Sequence, residues 1–379
     1  MRLAIVRQRY DPDGAVEGAL ERALEALLER NVAVTLVTRS WPQTRLQLIE
    51  PSICDPFHAG ALWRDWGFAH AACRVIRRAN PTLVEAHAPL ACCDVYRACD
   101  GVHAARIEAR RRGASPAEQT AIALSPRNRY LLHAERRMFA SPWLRAVICP
   151  SKMVRDDIRS RFGLPDAKLR VVYNPVDGAA FHPGLRGGRA AVLARHGIAP
   201  QALVHLLVTP DFAQGGVETA LAALAAVPAP AHLVVVGDDP HADRLRAEAR
   251  RRGVGDRVTF AGAPGDLRPW YGAADAFVLP APYDPSPFAA QEAMACGLAV
   301  VASTTSGAAE LVRDHDAGLT FPPDDAAGLA AHMQAVQDPA TRARLSANAR
   351  SAVAALSPAA ITLQLVLLYR ELLSGASTA

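Results

Sequence analysis

Short apolar runs and amphipathic stretches take turns along this chain almost from its first residue. Leu3 to Arg7 reads as a buried strand and Asp11-Pro12-Asp13-Gly14 as a loop. Leu20, Leu24, Leu27 and Leu28 then share one face of a helix. Val32 to Val37, Leu83 to Ala86 and Ala146 to Cys149 are further strands, each followed by a helical stretch. Near-continuous apolar strands, alternating with amphipathic helices, predict a parallel sheet covered on both faces.

The alternation stops at Asn174-Pro175-Val176-Asp177 and restarts near residue 200. Val204 to Val208 is a strand, Gly215-Gly216 opens a helix running to Val227, and His232 to Val236 is a strand ending at Gly237. Val258 to Phe260, Ala276 to Leu279 and Ala299 to Ala302 continue the series. The pattern therefore predicts an α/β chain of two doubly wound parallel-sheet domains, 1–173 and 200–357, joined by a linker over 174–199. A last helix, Pro358 to Leu373 and at most to residue 375, is placed to pack back on the first domain. Open α/β sheets bind ligands outside the carboxyl ends of their strands. Chemistry is thus expected in the loops 8–15, 87–103, 209–217, 237–240, 280–288 and 303–310, around a cleft that the two domains face.

Composition changes this picture little. Half of the 379 residues are hydrophobic and 21% are charged, which suits sizeable cores rather than disorder. The net charge of +5 is too mild to announce a nucleic-acid binder. Lys152 and Lys168 are the only lysines, so arginine dominates, as a GC-rich genome would give. Seven cysteines without a CxxC pair suit neither a zinc knuckle nor a disulfide framework. Adjacent Cys92 and Cys93 read instead as buried small residues in a reducing compartment. The N-terminus turns polar too soon for a signal peptide, and no apolar run reaches the ~20 residues of a membrane span. A cytoplasmic protein is expected.

The richest stretch for chemistry runs from Tyr283-Asp284-Pro285-Ser286-Pro287-Phe288-Ala289 through Glu292 to Gly297. It places one carboxylate in a loop after a strand and a second in the next helix, with Gly297 as the helix stop. Helix N-terminal amides hold phosphate and carboxylates accept hydrogen bonds from sugar hydroxyls, so such a surface suits a sugar nucleotide. Taken alone, Asp284 is equally a turn residue before proline. Glu292 in an otherwise apolar helix is harder to explain structurally.

These residues resemble the signature of the family 4 retaining glycosyltransferases, Glu-x7-Glu followed by Ala-Met-Ala-x-Gly-x-Pro-Val, with Asp284 and Glu292 in the two carboxylate positions. Val171-Val172-Tyr173-Asn174-Pro175-Val176-Asp177, Val234-Val235-Val236-Gly237 and Ser306-Gly307-Ala308-Ala309-Glu310 resemble its other landmarks. Asp94 to His103 is similar to the acceptor-side segment of the lipopolysaccharide-core glucosyltransferase subgroup, bearing Asp100. The resemblance implies a GT-B fold of two Rossmann-like domains. It also implies transfer of a sugar from a nucleotide sugar to a glycolipid or polysaccharide acceptor of the bacterial envelope, with no metal or other cofactor. It assigns Asp284 to the donor sugar, Glu292 to the ribose and Asp100 to the acceptor. Gly14, Asp211, Gln214, Gly215, Gly216, Gly237, Phe288 and Ala289 would line the donor site, with the Gly215-Gly216 helix start at the diphosphate.

Three departures stand against that pattern. Gln214 and Gly215 stand where the family carries an Arg and a Lys for the diphosphate, Pro287 replaces a frequent glycine, and Gly14-Ala15 replaces Gly-Gly. Fixed cations stabilise a departing diphosphate, so their loss favours, as an alternative, a catalytically weak homologue serving as a binding or scaffold partner. A second feature is the run of Arg106, Arg110, Arg111, Arg112, Arg127, Arg129, Arg136 and Arg137 against only Glu108, Glu118 and Glu135. It reads as a solvated helical face, or as a contact for an anionic membrane surface on the inner face of the plasma membrane or a phosphorylated glycolipid. No aromatic platform interleaves with it, so nucleic acid is disfavoured. A nucleotide-sugar epimerase on the same fold would need a base that no residue here supplies. A dinucleotide oxidoreductase is disfavoured because no GxGxxG follows a first strand.

Overall fold

A computed structural model describes residues 2–8, 27–28, 32–41 and 51–374. The chain divides into two units, residues 1–175 with 358–379, and residues 176–357. In the first unit seven described strands form one parallel sheet. They are β1 (Arg2–Val6), β2 (Ala33–Thr38), β3 (Ser52–Ile53), β4 (Leu83–Ala86), β5 (Val95–Arg97), β6 (Ala146–Cys149) and β7 (Leu169–Val171), in the order β3-β2-β1-β4-β5-β6-β7. The helices are α1 (Gly60–Ala79), α2 (His103–Arg112), α3 (Pro116–Leu124), α4 (Pro126–Phe139) and α5 (Lys152–Phe162). The terminal helix Pro358–Ser374 belongs to this unit.

The second unit begins at Val176, so residues 176–199 are not a linker. They hold a 3-10 turn, Pro183–Gly188, and α6 (Arg189–Arg195). Both are tied to the buried Asp275 carboxylate, which takes Arg186 at 2.7 Å, Arg189 at 3.0 Å and the Val204 amide at 2.8 Å. Six parallel strands follow: β8 (Leu203–Val208), β9 (Ala231–Val236), β10 (Val258–Phe260), β11 (Ala276–Leu279), β12 (Ala299–Ser303) and β13 (Gly318–Phe321). Their order is β10-β9-β8-β11-β12-β13, the doubly wound order with its switch point between β8 and β11. The helices are α7 (Val217–Ala226), α8 (Ala242–Arg251), α9 (Arg268–Ala273), α10 (Phe288–Ala295), α11 (Ala308–Asp314), α12 (Ala326–Ala335) and α13 (Pro339–Val353). One face of this sheet, through Leu207, Leu233, Val235, Val278 and Val301, packs on Leu221, Leu224, Leu245, Leu329 and Met333.

Two expectations need correction. Cys92 is not a free buried thiol. It forms a disulfide with Cys73 of α1, their Cα atoms 6.1 Å apart. The two lie nineteen positions apart in sequence, and tertiary packing brings them together. Cys93 is buried and free, its thiol pushed up to about 12 by burial. The stretch 87–103 is not loop throughout, since it contains β5, a three-residue strand too short and too polar for its pattern to register. Among the described residues, no single helix is long and apolar enough to cross a membrane.

The first unit also buries a charged cluster that the pattern did not reveal. Glu85 of β4 is fully enclosed and accepts hydrogen bonds from Arg97 Nε at 2.8 Å, from His87 Nε2 at 3.0 Å and from the Tyr369 hydroxyl. Burial pushes its carboxyl up, but Arg97 and these hydrogen bonds outweigh burial and hold it well below the usual range. The terminal helix is thereby latched to the sheet through Tyr369. Removing one partner of a buried charge pair costs about 3–5 kcal/mol. Arg97→Ala is expected to lower the denaturation midpoint accordingly, and Tyr369→Phe by a smaller amount. Because Glu85 is depressed in the fold, its contribution is present above the ordinary glutamate value of 4.5 and lost as pH falls below it. Urea melts at pH 7 and pH 3 check this: the gap between Arg97→Ala and the natural protein should narrow at pH 3.

Candidate functional site

In the second unit the loops after β8, β9, β11 and β12 leave the same, carboxyl edge of the sheet and touch one another. The loop after β8 is a compact turn. Asp211 accepts the Gln214 amide on Oδ1 at 2.9 Å and the Gln214 side-chain amide on Oδ2. The Gly215 amide donates to Asp211 O at 2.8 Å, that of Gly216 to Ala213 O at 3.3 Å and that of Val217 to Phe212 O at 3.0 Å. The Gly215 and Gly216 amides are therefore engaged inside the turn. Helix α7 itself starts at Val217.

Backbone approach dictates the glycines. A Cβ on Gly216, whose φ is +72°, would lie 2.1 Å from Pro280 O in the loop after β11. One on Gly237 would lie 1.8 Å from Thr209 O, and one on Gly215 would lie 2.4 Å from Thr209 Cγ2. Position 215 thus has no room for the lysine of the family pattern while Thr209 stays where it is. Asp239, which the sequence did not single out, fastens the next loop: it accepts the Phe212 amide at 2.8 Å and the His241 amide at 2.7 Å. Those backbone bonds, the Phe212 amide foremost, hold its carboxyl below the usual range.

Asp284 is half-buried and joins the loops after β11 and β12. Its amide donates to Thr305 O at 3.2 Å and its carbonyl accepts from Gly307 N at 2.8 Å. Its Oδ1 accepts from Ser286 N at 3.1 Å, the local turn bond that aspartate before proline favours. The Ser303 hydroxyl reinforces the junction by donating to Ala281 O at 2.7 Å. Helix α10 begins at Phe288 and Ala289, and the half-buried Glu292 lies in its second turn. The Glu292 Oε2 atom accepts a 2.8 Å hydrogen bond from the Tyr271 hydroxyl of α9.

The structure thus gathers Asp211, Gln214, Gly215, Gly216, Gly237, Asp284, Phe288, Ala289 and Glu292 on one edge of the second sheet. Asp100 belongs to the first unit, before α2, with its side chain 80% exposed and Arg106 3.6 Å away. Gly14 lies outside the described residues. Of the arginines, Arg106, Arg110, Arg111 and Arg112 lie on α2, and Arg127, Arg129, Arg136 and Arg137 on α4. All but Arg106 are exposed, and Arg127 pairs with the buried Asp65 of α1 at 2.7 Å.

Residues 16–179 match the family described as Glycosyltransferase Family 4, and residues 205–338 the family described as Glycosyl transferases group 1. Glycosyltransferase models thus match a large part of each unit of the chain. A Burkholderia thailandensis protein named as a probable transglycosylase is 27% identical over 346 residues, covering 90% of this chain and 88% of its own. WaaG, a glycosyltransferase involved in lipopolysaccharide biosynthesis, superposes with a TM-score of 0.80 at 20% identity, over 96% of this chain and 98% of its own. Anabaena HepE in complex with UDP-glucose gives a TM-score of 0.73 at 20% identity, over 98% of this chain and all of its own. The likeness to these solved structures is one of fold, the GT-B fold. This glycosyltransferase is an enzyme whose second unit carries the clustered carboxylates.

The close contact at Gly216 has a direct test. A residue forced into the left-handed region costs of order 1–3 kcal/mol, and the clash with Pro280 O adds to it. Gly216→Ala should therefore unfold at lower denaturant than Gly253→Ala, whose φ of +71° is similar but whose Cβ would meet nothing within 4 Å. Equal midpoints for the two variants would mean that the loops do not need their close approach.

Proposed function

We propose that this glycosyltransferase moves a sugar from a nucleotide-sugar donor to a glycolipid or polysaccharide acceptor of the bacterial envelope, of lipopolysaccharide type, with retention at the anomeric carbon. The observation that carries the donor assignment is the Glu292 carboxylate, fixed by Tyr271 beside the Asp284 loop at the carboxyl edge of the second sheet. HepE is bound to UDP-glucose and WaaG acts in lipopolysaccharide biosynthesis, which supports the donor and acceptor classes. In this reading Glu292 accepts the ribose hydroxyls, Asp284 the hydroxyls of the transferred sugar, and Asp100 orients the acceptor. The bond from the anomeric carbon to the diphosphate breaks as the acceptor oxygen bonds to that carbon, and the acceptor proton leaves with the nucleoside diphosphate.

A second reading, slow transfer by a weakened donor site, draws on the loop after β8. The Gln214 side chain is bound to Asp211, and Gly215 is hemmed in by Thr209, so this loop brings a carboxylate where the family pattern brings cations. Loss of one stabilising donor costs ~100-fold or more in rate.

Losing a hydrogen bond to a charged group costs roughly 1.5–3 kcal/mol. Glu292→Gln is accordingly expected to weaken nucleotide binding by about 10- to 100-fold, whereas Asp284→Asn should chiefly lower transfer. Titration calorimetry and a transfer assay decide it. Unchanged affinity and turnover in both variants would refute the site.

The arginines of α2 and α4 support a membrane-facing role on the cytoplasmic side of the plasma membrane. Phe57, 82% exposed, packs edge-on against Trp63 of α1, and Trp66 is exposed three residues on. Exposed aromatic rings beside cationic helices suit a headgroup layer. Each arginine adds about 1 kcal/mol at an anionic surface and is screened by salt. Sedimentation with vesicles should show binding to phosphatidylglycerol that fades as salt rises. Equal partitioning to neutral vesicles would leave the arginines as a solvated face.

A further inference from the structure

We propose that Tyr271 is a positioning residue of the donor site, its hydroxyl setting the Glu292 carboxylate for the nucleotide ribose. This rests on the ribose reading of Glu292 above. Helix α9 presents Tyr271 to the interior, where it is 1% exposed. Its ring meets Phe181 edge-on at 5.5 Å and lies roughly parallel to Phe277 at 6.4 Å. A ring held on two sides delivers its hydroxyl to one place. There it donates to Glu292 Oε2 at 2.8 Å and approaches Ala289 O at 3.2 Å, both on the first turns of α10.

A buried tyrosine hydroxyl needs a partner, and here it takes the carboxylate assigned to the ligand rather than a structural carbonyl alone. Burial first, and then the charge of Glu292, push the Tyr271 hydroxyl well above its ordinary value. It therefore remains a neutral donor to Glu292 Oε2. The rotamer of Glu292 is fixed during folding instead of at the moment of binding. Pre-ordering one flexible side chain of this kind is worth about two- to tenfold in affinity.

The variant of choice is Tyr271→Phe, which keeps the ring. The same ring walls a cavity of about 290 Å³ with His182, Arg186, Cys296 and Arg342, and truncation to alanine would open it. The full chain is titrated with UDP, ADP and GDP, and the tightest binder is compared with its 2′,3′-dideoxy analogue. The natural protein should prefer the ribonucleotide by at least tenfold. Tyr271→Phe should reduce that preference about two- to tenfold while binding the dideoxy analogue as the natural protein does, which also certifies its folding. In a Glu292→Gln background the same change should have less than a twofold effect. An unaltered ribose preference in Tyr271→Phe, or equal weakening toward both nucleotides, overturns the positioning role. A natural protein without ribose preference, a Glu292→Gln variant that keeps it, or no binding of any of the three overturns the ribose reading itself.

Discussion

At the switch point of the second sheet two backbones come so close that residue 216 has room for a hydrogen atom and nothing larger. The loop after β8 there rests on Pro280 O of the loop after β11, and the loop after β9 rests on Thr209 O through Gly237. Contacts this tight fix where α7 and α10 begin, and hence where Glu292 projects. Asp239 and Ser303 then tie the remaining loops by hydrogen bonds at 2.7–2.8 Å. The candidate site is thus a consequence of sheet order and backbone approach, with side chains added on a frame that tolerates little change.

The same frame bears on the departure from the family pattern at 214 and 215. A lysine at 215 and a threonine at 209 compete for one volume, so the two positions are coupled rather than independently variable. The Asp211–Gln214 pair fills the adjacent surface with hydrogen bonds that close the turn upon itself. The turn at 211–217 is held rigid by these bonds and by the backbone bonds of Gly215, Gly216 and Val217.

Much of the fold was legible because many of its strands are short, mostly apolar runs. Leu83 to Ala86, Ala146 to Cys149, Val258 to Phe260 and Ala276 to Leu279 coincide with β4, β6, β10 and β11. Strands β3, β5, β7 and β13 escaped: Ser52, Arg97, Arg170 and Gly318 interrupt their apolar runs, and Arg97 is matched by Glu85, twelve positions away on the neighbouring strand. Residues 176–199 looked like a linker because their Gly and Pro content hides how Arg186 and Arg189 bind the buried Asp275. Asp284 and Glu292 were readable from one local motif, but Tyr271 was not. It lies 21 residues before Glu292 on a six-residue helix, and packing alone brings it there. The Cys73–Cys92 bond was missed for the same reason.

The central claim is that the carboxyl edge of the second sheet holds the nucleotide. Hydrogen–deuterium exchange on the full chain, with and without a saturating nucleoside diphosphate, addresses it most directly. The account predicts that slowing of exchange in the second unit concentrates in 209–217, 237–241 and 280–292, the loops that meet around Gly216 and Glu292. Slowing confined to other segments, or an unchanged pattern in these three under demonstrated saturation, would contradict it.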